Sequence, residues 1–92
     1  MDNLDPLDYL KLAILYNEEK IKDIVLYMEI ADTINSSDYY AQLLSQKLRE
    51  YLSSSRSYVR LNCIILIDFL TQNCNMEFHH YLLNQQFKDI AL

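Results

Sequence analysis

Apolar residues recur along this chain at helical spacing, and the polar breaks between them are short. Asp5-Pro6 places a capping carboxylate before a proline at the first helical position. Leu7, Leu10, Ala13 and Ile14 then predict a short amphipathic helix ending near Asn17. A second helix is predicted from about Ile21 to Ile34. Tyr27, Ile30, Ala31 and Ile34 form its main stripe, and Ile21, Ile24, Val25 and Met28 widen it sideways. That arc exceeds what one neighbouring helix needs. Its bland explanation is a second neighbour in a wound helical array; its functional one is an exposed apolar patch for a small protein partner.

Asn35-Ser36-Ser37-Asp38 is a turn with several candidate caps, leading to a third helix that ends near Leu52 with Tyr40, Leu44, Leu48 and Tyr51 inward. Ser53-Ser54-Ser55-Arg56-Ser57 reads as an interhelical loop whose last serine caps the next helix. From Tyr58 to Cys74 apolar residues nearly encircle the axis, the pattern of a central helix packed against several others. The β-branched Ile64, Ile65 and Ile67 suit a strand, but the segment exceeds normal strand length. Asn75 is then expected to end this helix in the left-handed conformation. A fifth helix from Met76 to about Leu83 and the start of a sixth from Gln86 to Leu92 complete the chain. The expected fold is all-α, one domain over residues 1–92, without a fixed-period repeat.

Composition sharpens this picture. The chain has 92 residues, of which 51% are hydrophobic and 23% charged, so a folded globule is expected. It contains no glycine and one proline, which removes the usual material of tight hairpins. The net charge of -5 is uneven. Up to Asp38 nine acids face Lys11, Lys20 and Lys22, whereas the only basic stretch runs from Lys47 to Arg60 and is diluted by Glu50. Phosphate backbones and anionic lipid are therefore disfavoured partners, and no nucleic-acid binding is expected.

The opening Met1-Asp2-Asn3 has no signal-peptide pattern, and the longest apolar run, Cys63 to Ile67, falls far short of the ~20 residues of a membrane span. A soluble cytoplasmic protein is expected. Cys63 and Cys74 lie eleven positions apart on one predicted helix. That separates them by roughly 16 Å, beyond the ~7 Å limit for a disulfide, so reduced and buried thiols are expected.

Candidate chemistry is sparse. Cys74, His79 and His80 are metal-ligand types, but neither CxxC nor HExxH is present, so no metal or other cofactor is expected. The histidines are adjacent and no glycine can build a nucleophile elbow or phosphate loop, so no enzyme is expected. The eight tyrosines sit mostly at core-facing spacing in acidic surroundings, unlike a base-stacking platform.

The segment from Val59 to His79, with Leu61, Cys63, Ile64, Leu66, Ile67, Asn73-Cys74 and Phe78-His79 in register, resembles the VHS domain signature V-x-L-x-A-L-x-L-L-x-x-x-V-x-N-C-G-x-x-F-H. Phe87 falls where that family has the phenylalanine of S-x-D-F, and Ile30-Ala31-Asp32-Thr33-Ile34 resembles its I-C-D-x-I. Asn75 stands in place of the family glycine and Thr71 in place of an apolar residue.

The resemblance implies a right-handed superhelix of short helices, here five and the start of a sixth, hence a domain incomplete at its C-terminus. It also implies a protein-transport module of endosomal and trans-Golgi adaptors, at most peripherally bound to membrane. Many such domains bind ubiquitin weakly through helices two and four. Ile24 matches the tryptophan they use, Met28 the contact one turn later, and Asp68 is the nomination on the polar stripe of helix four, with Arg60, Thr71 and Gln72. The implied partners are ubiquitin or ubiquitinated cargo and other sorting-complex subunits. Recognition of acidic-dileucine signals, which uses helices six and eight, is not expected. Three alternatives stand beside this: a phosphoinositide-binding adaptor similar to ENTH and ANTH domains, a domain similar to those that bind the RNA polymerase II tail, whose L-I-D-S resembles Ile67-Asp68, and a helical assembly protein that self-associates through an open superhelix end.

Overall fold

Five helices follow one another in a computed structural model that describes residues 4–91, with side chains described through Leu83. They are α1 (Pro6–Ile14), α2 (Ile24–Ser36), α3 (Asp38–Leu52), α4 (Ser57–Asn73) and α5 (Met76–Ala91). The all-α expectation holds.

The start of α1 is set locally. Asp5 accepts from the backbone N–H of Leu7 (2.8 Å) and Asp8 (3.2 Å), and Asp8 returns a bond to the Asp5 N–H, completing a capping box with Pro6 at the first position. Its end is set from a distance. The last carbonyls of a helix lack intrahelical partners, and here side chains supply them. Asn17 Nδ2 donates to Ala13 O (3.3 Å), Asn62 Nδ2 to Ile14 O (3.1 Å) and Tyr58 Oη to Leu15 O (3.0 Å). Two of those three donors belong to α4, so the α1–α4 contact is also the cap.

The second helix begins later than its apolar pattern suggests. Asn17 grips the backbone of Ile21 from both sides, accepting its N–H (3.0 Å) and donating to its carbonyl (2.7 Å), while Lys20 takes a positive φ of 59°. These constraints keep 17–21 out of a helix, and Asp23, whose carboxylate accepts from Leu26 N–H, provides the actual cap. Ser37 alone separates α2 from α3 and caps the latter by accepting from Tyr40 N–H.

Three other local expectations need correction. Ser57 is the first residue of α4; the cap position is Arg56, with no side-chain cap bond. Asn75 is not left-handed. The chain leaves α4 through an extended Cys74, and the Asn75 carboxamide instead accepts from Phe78 N–H (3.2 Å) as the cap of α5. Nor is there a break between a fifth and a sixth helix, because α5 continues to Ala91. Neither glycine nor proline is present at 84–85 to interrupt it. The side chain of Phe87 and residue Leu92 lie outside the described residues.

One apolar core joins the helices. Leu10, Ile14, Ile30, Ile34, Leu44, Leu48, Leu66, Leu70 and Phe78 are fully buried in it, and the Tyr27 ring meets Phe69 at 5.4 Å between centroids. As expected, α4 packs on several helices, α1, α2 and α3 among them, and α3 packs on each of the other four. The buried set of α4, Val59, Asn62, Cys63, Leu66 and Leu70, occupies one face, while Leu61 and Ile64 emerge into solvent. Its wide apolar circumference therefore does not mean burial all round.

The fold buries two polar side chains among the described residues, Ser45 and Asn62. Ser45 bonds back to Gln42 O (2.8 Å). Both cysteines are free thiols, Cys63 fully buried with its Sγ on Leu48 O (3.2 Å) and Cys74 half-buried. Burial pushes the Cys63 thiol up to about 12, and burial followed by the nearby Asp32 pushes Cys74 up to about 11. No helix among the described residues is long and apolar enough to cross a membrane.

Candidate functional site

The direction in which α2 faces is fixed by two contacts. Tyr27 packs at a tilt against Phe69 of α4, and Asn35 bridges the α4–α5 junction, donating to Asn73 O (3.0 Å) and accepting from Asn75 N–H (2.8 Å). At ~100° per residue, Ile24, Met28 and Asn35 fall within about 40° of one another, so they share the stripe that borders α4. Burial agrees: Ile24 is 47% and Met28 42% exposed, one turn apart, with Val25 more exposed beside them. The structure thus brings two of the nominated residues together as a half-open apolar stripe.

Ile21 does not belong to this stripe. The Asn17 grip and the turn at Lys20 hold it outside the helix, where it lines a recess with Leu12 and Tyr16 of the α1 end. The arc read from the sequence as one patch is two surfaces.

Asp68 lies on the exposed side of α4, and no hydrogen bond or ion pair engages its carboxylate among the described residues. Its helix carries apolar exposure of its own, because Leu61 and Ile64, at i−7 and i−4 on the same face, are exposed as well. Sequence reasoning missed these two, since within a nearly continuous apolar run they look like core. The signal was the excess itself: a helix with three neighbours cannot bury a full circumference. Of the expected polar stripe, Gln72 is exposed. Arg60 turns to the preceding loop and donates to Ser54 O (2.6 Å), and Thr71 bonds back to Asp68 O (2.9 Å).

Elsewhere the chemistry is structural. Tyr81 donates to Asp38 across the α3–α5 contact, and that bond, then desolvation and the carboxylate charge, raises the phenol above its ordinary range. Burial, with Asp23 second, raises Tyr27 in the same direction. The His79 ring meets Phe78 edge-on at 6.3 Å. No group of three or more His, Cys, Asp or Glu side chains able to hold a metal ion forms among the described residues. The arrangement offers an apolar stripe, an unengaged carboxylate and further apolar positions on the adjacent helix, which suits contact with another protein's surface.

No family model matches the chain, and neither a curated protein nor a solved structure matches it.

Proposed function

We propose that this chain is a non-enzymatic, VHS-like binding module that weakly recognises ubiquitin or ubiquitinated cargo during endosomal sorting. On this reading it works on the cytoplasmic side of endosomal or trans-Golgi membranes with other sorting subunits, and its helices wind as a right-handed superhelix. The observation that carries it is the pairing of Ile24 and Met28 as a half-exposed stripe beside α4, at the positions where the VHS resemblance puts the ubiquitin contact.

The magnitude suits a weak interaction. Fully burying such side chains contributes on the order of 1.5–3 kcal/mol each. Ile24 and Met28 have about half of that left to gain, and association itself is costly, so a dissociation constant of roughly 0.1–1 mM is expected. Titrating the isotope-labelled chain with ubiquitin tests this by amide NMR. Shifts should gather at Ile24, Met28 and Asp68, and Met28→Asp should abolish them with helicity unchanged. Unaltered affinity in that variant would defeat the site, and an indifferent spectrum would defeat the function.

A self-associating helical protein is the second reading, favoured by the exposure of Leu61 and Ile64 on α4. Concentration-dependent sedimentation that Ile64→Asp eliminates, without any ubiquitin response, would establish it instead.

A further inference from the structure

The connection between α1 and α2 builds a second surface, reached from the Leu26 and Tyr27 side of α2 and lined by neither Ile24 nor Met28. Leu26 marks that side: it lies about 200° around the helix from Met28. A recess of about 500 Å³ over Leu15, Tyr16 and Ile21 adjoins one of about 180 Å³ over Leu12, Leu26 and Tyr27, and the two share Tyr16, Asn17 and Ile21. Apolar side chains and polar groups share its floor about equally, and its lip is tied down by hydrogen bonds. Asn17 clamps Ile21 while its own carbonyl accepts from Asn62 (2.8 Å) and Lys20 N–H (3.1 Å), so the groove is already shaped before anything enters.

Its charge selects an occupant. Glu18, Glu19 and Asp23 line the two recesses, whereas Lys20 and Lys22 of the same loop do not. Asp23 is partly used as the α2 cap, but no ion pair or hydrogen bond engages Glu18 or Glu19 among the described residues. A recess that combines apolar side chains with carboxylates at its edge disfavours nucleic acid and anionic lipid and attracts cations carried on apolar stems.

We propose that this groove docks a short linear segment of a partner protein in which an aliphatic or aromatic side chain lies between basic ones. The apolar residue fills the space over Leu12 and Leu26 and covers Ile21 and Tyr16, which are 58% and 69% exposed. Its flanking Arg or Lys side chains pair with Glu18 and Glu19. This inference does not depend on ubiquitin binding, whose proposed contacts, Ile24 and Met28, line neither recess.

The test uses the 92-residue chain and two fluorescein-labelled heptapeptides, one alternating arginine with leucine and one alternating glutamate with leucine. Fluorescence anisotropy should show sub-millimolar binding of the arginine peptide alone, weakened about tenfold between low salt and ~0.5 M salt as screening shortens the reach of the carboxylates. Amide shifts should map to Leu12, Tyr16 and Ile21. The double reversal Glu18→Lys/Glu19→Lys, on an exposed loop, should cost about tenfold or more in affinity. Tyr16→Ser should weaken binding by removing contact area while retaining the salt dependence. Equal binding of both peptides, an unaffected double reversal, or shifts centred on Ile24 and Met28 would overturn the proposal. A dimer in sedimentation that the double reversal dissolves would overturn it too, assigning the groove to the basic Lys47–Arg60 stretch of a second copy.

Discussion

Asn62 holds α4 to the end of α1, and removing its side chain should be among the costliest single changes in this protein. It is 1% exposed, and its Nδ2 donates to Ile14 O at 3.1 Å and to Asn17 O at 2.8 Å. The two acceptors are not equivalent. Asn17 O also receives the Lys20 N–H, whereas the Ile14 carbonyl belongs to the last turn of α1, where no intrahelical donor remains. Asn62→Ala therefore orphans one buried acceptor, worth about 1–3 kcal/mol, and weakens a second by about 0.5–1.5 kcal/mol. The expected loss is roughly 2–4 kcal/mol from a domain whose total stability, by its size, is about 5–14 kcal/mol. Urea unfolding followed by circular dichroism should show the midpoint falling with an unchanged slope, and the melting temperature should drop by about 10–25 °C. Asn62→Asp supplies the control. At neutral pH it sets acceptor against acceptor and should be at least as damaging, but burial raises that carboxyl's folded pKa, so stability should partly return as the pH falls and the protonated acid becomes a donor. A loss below about 0.5 kcal/mol for Asn62→Ala would refute the assignment of the α1 cap to α4.

The thiols and the second junction give two further expectations. With Cys63 pushed up to about 12 and Cys74 up to about 11, both should react with thiol reagents at pH 8 far more slowly than an unfolded control. The thiolate fractions should be lower by about 1000-fold and 100-fold respectively. A raised folded pKa also means that stability is complete below the unfolded thiol value near 9 and declines as the pH climbs toward the folded values, and Cys63→Ala should flatten that decline. Rapid labelling of Cys63 in the native protein would contradict its burial. At the α4–α5 junction, Asn75→Ala should cost ~1 kcal/mol as the loss of a helix cap, while Asn75→Gly costs only a few tenths. A left-handed Asn75 would have been stabilised by glycine, so a gain on Asn75→Gly in thermal melts would contradict the cap geometry.

How far the sequence foretold the fold depended on whether the deciding contact was local. The start of α1 was legible because Asp5, Pro6 and Asp8 complete the capping box within four positions. The start of α2 was not. Apolar periodicity begins at Ile21, but the chain there is governed by the Asn17 side chain and by a non-glycine residue in the left-handed region. The cap that does start α2 is Asp23, three residues before Leu26, whose N–H it accepts. Asn75 was read backwards for a related reason: an asparagine between two helices can end one or begin the next. Its partner Asn35, forty positions away in sequence, helps decide which. Asn62 sits in a hydrophobic run, and nothing near it in sequence points to the Ile14 and Asn17 carbonyls it serves, 48 and 45 positions away.

The candidate surfaces follow from a physical constraint on size. A chain of 92 residues with 51% hydrophobic content has more apolar side chain than its interior can hold, because a small domain keeps a large share of its surface in water. Scattered exposure would carry no meaning. Here eight of the twelve large apolar side chains exposed among the described residues fall in three places: Leu12, Tyr16 and Ile21 at the α1–α2 groove, Ile24, Val25 and Met28 on α2, and Leu61 and Ile64 on α4. The width of the α2 arc announced the surplus. Its division into two surfaces could not be read from a helical wheel, because the wheel assumes that Ile21 is helical. Breaking the helix before Ile24 rotates one isoleucine away from its neighbours and toward an acidic rim, leaving Ile24 and Met28 as a separate stripe on α2. A short, conformationally awkward loop thus converts one broad hydrophobic face into two smaller ones of different character, each small enough to stay exposed.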